Sequence, residues 1–203
     1  MKRLFDMENP LMRTMAVACD LLVLNLLAIL CCLPVVTAGA SLTALFDISI
    51  HMVRGEEGYI FKPFFRSFAG NLKKGSLMGV LFLLAAVILV VDYQAASFYI
   101  PMLRAGAAAL LVILLAIALY AFALLSRYEN TVFRTLKNAA ALAVGFFPRT
   151  LGMTAFTVAL WILGFRFYQV GAPVLLMFGL SLPSFVSALL LKGVFHEIDK
   201  TEP

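Results

Sequence analysis

With 203 residues of which 63% are hydrophobic and only 13% charged, and a mean hydropathy of +1.00, the chain has too few charges to wet the surface of a soluble domain, which is nearer half apolar and about a quarter charged. The length suits about six membrane spans with short loops, so the expected class is an all-α, polytopic integral membrane protein. The net charge of +5 could suggest nucleic acid, but the placement of the basic residues assigns it to the membrane surface, and no nucleic-acid partner is expected.

The first apolar run, 14–33, is long enough to cross a bilayer at about 1.5 Å per residue. Pro34 ends it, and Thr37 and Gly39 belong to a tight turn. A second span over 35–53 carries Ser41, Thr43, Asp47, Ser49 and His51, which makes it the most polar of the set. Further spans are predicted over 75–91, 105–126, 150–165 and 174–191, the last kinked at Pro183.

The chain has 16 Lys and Arg. If the N-terminus is cytoplasmic and all six spans cross, all but Arg104 and Arg166 fall on the cytoplasmic side. The asymmetry collapses if the second span is removed, because every later loop then flips. The expected topology is therefore multi-pass with both termini in the cytoplasm. A signal peptide cut after Ala38 is the rival reading of the first run, and Asp20 within its apolar stretch speaks against it.

Two basic loops, 59–74 and 128–147, read as amphipathic helices in the cytoplasmic interface. In the first, Phe61, Phe64, Phe65, Phe68 and Leu72 recur at helical spacing, with Lys62, Arg66, Lys73 and Lys74 among them. In the second, Phe65-Arg66-Ser67-Phe68 is echoed by Phe133-Arg134-Thr135-Leu136. A duplicated span–surface helix–span unit is one explanation of that echo. The surfaces suit either lipid anchoring or docking of a partner, with Phe61, Phe64, Phe65, Arg66, Phe68, Lys73 and Lys74 as the contact residues.

Asp20 and Asp47 are the acids well inside predicted spans. Each lies seven residues from a basic flank, Arg13 or Arg54, so a hairpin would set both about 10 Å in from the cytoplasmic face. Asn25 follows on the first span, and His51 lies one helical turn beyond Asp47. The four form a candidate intramembrane polar site for a proton or cation, or else a set of groups that fixes helix packing. Cys19, Cys31 and Cys32 make no metal or redox motif, and His196-Glu197 lacks the second histidine of a zinc-protease helix. No nucleophile elbow, phosphate loop or dinucleotide fingerprint occurs, so no catalytic residue, metal or cofactor is expected.

Asp20-Leu21-x3-Asn25-Leu26-Leu27, Leu33-Pro34-Val35-Val36-Thr37-x-Gly39 and Thr43-Ala44-Leu45 resemble the start of the YesL family, also called domain of unknown function 624. Val53-Arg54-Gly55-Glu56-Glu57-Gly58, Phe64-Phe65-Arg66-Ser67-Phe68 and Asn71-Leu72-Lys73-Lys74 fit it too, so the likeness covers about residues 15–80. Cys31-Cys32 departs from the small or apolar residues expected there. The resemblance implies a bacterial membrane protein without an established activity, whose genes often neighbour sugar-uptake ABC transporters and plant-polysaccharide enzymes. Three functions stay open: an accessory or regulatory subunit working with subunits of a sugar ABC transporter, an independent small-solute or proton-coupled transporter using Asp20, Asn25 and Asp47, and a membrane scaffold.

Overall fold

A computed structural model describes residues 10–56, 59–96 and 101–201. Lys2, Arg3 and Gly58 lie outside the described residues, as do the side chains of Arg13, His196 and Lys200. Among the described residues the elements are all helical: α1 Pro10–Cys32, a 3₁₀ turn Val35–Thr37, α2 Ala38–Arg54, α3 Phe61–Gly70, α4 Leu72–Ala96, α5 Pro101–Arg127, α6 Val132–Gly145, α7 Phe147–Arg166, α8 Tyr168–Phe178 and α9 Ser181–Thr201. Four segments are long and apolar enough to cross a membrane alone: Thr14–Cys32, Val35–Arg54, Leu72–Ala96 and Met102–Arg127. Two bent pairs, α6 with α7 at 100° and α8 with α9 at 57°, raise the number to as many as six. The chain is an all-α, multi-pass membrane protein.

α2 is the central helix, and this explains its polarity. It packs on α1, α3, α4, α5 and α9. Ser41, Thr43 and Ser49 are buried against protein rather than exposed to lipid. Each hydroxyl donates to a backbone carbonyl, Ser41 across to Ala28 O at 2.9 Å and the other two back along α2 to Gly39 O and Leu45 O. Thr37 Oγ1 sits 2.8 Å from both Cys31 O and Pro34 O, which closes the turn between α1 and α2. Gly55 ends α2 with φ 76°, a left-handed cap that a side chain would strain.

The crossing of α2 and α4 is backbone against backbone. A Cβ on Gly79 would stand 2.6 Å from the Gly39 Cα, and one on Gly75 would stand 2.7 Å from the Ala40 Cα. Small residues four apart on α4 create the groove, and in lipid such close van der Waals contact is a main source of helix association. The far half of α4 leaves this contact and exposes Leu84, Val87, Ile88 and Val91, as a lipid-facing helix does.

Two sequence expectations change here. The sixth span does not kink at Pro183. It breaks between Phe178 and Ser181, while Pro183 sits in the first turn of α9, where a missing N–H leaves no helical bond unmade. The first surface helix is shorter than 59–74: α3 stops at Gly70, Asn71 turns the chain, and Lys73 and Lys74 are exposed on the first turn of α4. Asn71 makes the turn by donating its Nδ2 to Ser67 O at 3.1 Å.

Candidate functional site

The four candidate intramembrane residues separate into three environments. Asn25 is fully buried on the α1 face that also carries Leu21, Leu24 and Ala28, spaced three and four apart. Its Nδ2 donates to Leu176 O at 2.8 Å, and its Oδ1 accepts from Leu180 N at 2.8 Å and Ser181 N at 3.0 Å. These three groups belong to the break between α8 and α9. A broken helix inside a membrane frees backbone donors and acceptors that water cannot reach, and a neighbouring side chain has to take them up. Asn25 is that side chain, and both ends of its amide are engaged in the task.

Asp20 is half-buried on α1 and has no hydrogen-bond or ion-pair partner among the described residues. Asp47 instead joins His51: the ring Nδ1 lies 2.8 Å from Asp47 O and 3.6 Å from Asp47 Oδ1. On the other side the ring Nε2 lies 3.5 Å from Glu56 Oε2, beyond the end of α2. A doubly protonated ring donates in both directions, a neutral ring in one. Asp47, His51 and Glu56 line a cleft of about 440 Å³ with Tyr59, Arg66 and Asn71, bounded by α2, α3 and the end of α5. Glu56 and Arg66 were not joined to the acids by sequence reasoning, because they follow the turn whose path sets their position. Among the described residues no three His, Cys, Asp or Glu are grouped to hold a metal ion.

α3 divides its phenylalanines. Phe64 is fully buried among Leu24, Leu45 and Ile48 of α1 and α2, and Phe68 packs on the same cluster. Phe61 and Phe65 point outward, their rings 5.4 Å apart, beside exposed Lys62 and Arg66. Phe64 meets Phe65 edge-on at 5.7 Å and stacks near Phe68 at 6.5 Å, so one ring anchors the helix that presents the others. In α6, Phe133 and Arg134 are exposed and Thr135 is buried, as Phe65 and Arg66 are exposed and Ser67 is half-buried. The echoed residues thus occupy matching orientations on their two helices.

The ends of the bundle differ in charge. Arg54, Lys62, Arg66, Lys73, Lys74, Arg127, Arg134, Lys137, Arg149 and Lys192 gather where α3 and α6 lie. Arg104 and Arg166 stand at the opposite end, Arg104 over the Tyr93 ring at 4.7 Å.

Residues 21–93 match the model of a family described as "Protein of unknown function, DUF624". That is the family to which the likeness over residues 15–80 pointed. No curated protein and no solved structure matches the chain.

Proposed function

We propose that this multi-pass protein, whose residues 21–93 fit the DUF624 family, is a non-enzymatic accessory or regulatory partner of a carbohydrate ABC transporter in the bacterial plasma membrane. In this reading both termini and the basic end, with α3 and α6, face the cytoplasm, where basic residues accumulate. The observation that carries it is α3: a helix pinned by buried Phe64 that holds Phe61 and Phe65 outward beside Lys62 and Arg66. Aromatic and arginine side chains on a rigid support are the groups that dominate protein interfaces. The link to sugar uptake rests on the gene neighbours of the family it resembles.

The rival reading, an independent small-solute or proton-coupled transporter, has less behind it. Of its three residues, Asn25 is spent on the α8–α9 break, and Asp20 and Asp47 make no bond to each other. Its best support is the Asp47–His51–Glu56 cleft. A scaffold role without a transporter predicts no sugar-uptake partner at all.

Purification from native membranes separates these readings. The accessory reading expects a sugar-uptake transporter to co-purify, and the complex to be lost in the Phe61→Ser, Phe65→Ser variant while the protein stays in the membrane. Solute flux in liposomes by the protein alone, abolished by Asp47→Asn, would overturn it.

A further inference from the structure

At the basic end lies a second cleft of about 330 Å³, between α2, α5 and α9. Arg54 from the end of α2, Arg127 from the end of α5 and Lys192 from α9 form its walls, and Ile50, Ala188 and Phe195 line it with apolar surface. Among the described residues no carboxylate lines it. Local reasons explain each cation separately: helix C-termini favour positive charge, and Lys192 Nζ reaches Val53 O at 3.4 Å. They do not explain why three helices bring their cations around one hollow with an apolar floor.

The charges are also held in place. The Arg127 guanidinium lies 4.7 Å from the Phe195 ring and 5.4 Å from the Tyr128 ring. Arg149 of α7 crosses α9 at Gly193, where a Cβ would come within 3.1 Å of a guanidinium nitrogen.

We propose that this cleft binds the phosphodiester headgroup of an anionic phospholipid. The phosphate sits among Arg54, Arg127 and Lys192, and the glycerol and first methylenes lie on Ile50, Ala188 and Phe195. Basic hollows between membrane helices at the headgroup level suit such lipids. The apolar floor, at the end where the spans leave the bilayer, favours a lipid over a free phosphate ion. The inference is independent of the α3 docking surface, because no residue of α3 lines this cleft.

Native mass spectrometry of the detergent-solubilised protein, with phosphatidylglycerol and phosphatidylcholine added in turn, tests it. Phosphatidylglycerol should be retained and phosphatidylcholine lost. The Arg54→Gln, Lys192→Gln variant should weaken retention about thirtyfold, at roughly fivefold per basic residue. Lys192→Gln alone, at an exposed position, should weaken it about fivefold if the double variant fails to fold. Arg134→Gln with Lys137→Gln, which removes the same charge from α6, should change it little. Equal retention of both lipids, or equal loss in the α6 variant, overturns the proposal in favour of general surface attraction. Displacement of the lipid by an equal concentration of glycerol 3-phosphate overturns it in favour of a free-anion site.

Discussion

Replacing Asn25 by leucine keeps a branched side chain of four heavy atoms and removes three hydrogen bonds of 2.8–3.0 Å. Leu180 N, Ser181 N and Leu176 O then face a buried apolar group, at a break that the helix itself cannot bridge. Hydrogen bonds between membrane helices average about 0.6 kcal/mol each, which sets a floor near 2 kcal/mol for three. Orphaned buried groups cost about 1–3 kcal/mol each, which sets a ceiling near 9 kcal/mol. Relaxation of the break and the easier burial of leucine offset part of this, so the expected loss is about 2–5 kcal/mol. For a chain of this size that corresponds to a fall of roughly 5–15 °C in the melting temperature in detergent. Asn25→Asp provides an internal check. It keeps an acceptor for the two N–H groups but sets a second oxygen against Leu176 O, so it should also destabilise. A melting temperature within about a degree of the parent for Asn25→Leu would refute the assignment of Asn25 as the clamp of the break.

Gly79→Ala brings a methyl to 2.6 Å from the Gly39 Cα and should cost roughly 1–3 kcal/mol in a detergent melt, whereas Gly145→Ala, with nothing within 4 Å, should cost far less. Phe64→Ala should destabilise by about 3–5 kcal/mol through the cavity it leaves, while Phe65→Ala stays within about 0.5 kcal/mol; equal effects in equilibrium unfolding would contradict the division of α3 into an anchored and a presenting face. Ser49→Ala and Ser184→Ala should be coupled by about 0.6 kcal/mol in a double-mutant cycle, because their hydroxyls lie 2.9 Å apart. In a background without the native cysteines, a cysteine at Val36 should react with an impermeant label from outside the cell and one at Glu56 should not; the reverse pattern would invert the topology.

The long apolar runs carry the class and most of the spans, because bilayer thickness sets their length and no tertiary contact is needed to see them. The polarity of 35–53 becomes intelligible only once α2 is known to be central, since Ser41 and Ser49 pair with carbonyls and hydroxyls on other helices. Asn25 could be noticed as a polar residue in a span, but its partners lie 151 to 156 residues away. The break they form leaves only Gly179 and Pro183 as local signs, and proline was the misleading one. The α2–α4 crossing has a local signal too, Gly75-x3-Gly79, a small-residue pair one helical turn apart. In α3 the spacing of the phenylalanines marked a helix without showing which rings turn inward, because both the protein side and the lipid side accept apolar groups. Lys73 and Lys74 read as part of that helix from the sequence because a one-residue turn at Asn71 gives no compositional break.

The bond between Asn25 and the α8–α9 break also has a direction in time. A chain emerges from its N-terminus, and segments made first are available to those that follow. α1 is in the bilayer before α8 has been synthesised, so its amide stands ready when Leu176, Leu180 and Ser181 arrive. α8, with 11 residues, is about half the length that inserts unaided. The bent pair α8–α9 is long enough to cross as a unit, but its break finds its partner only in α1, so a ribosome-stalled chain ending after α9 but lacking α1 should leave the groups at 176–181 more accessible to water than the intact chain does.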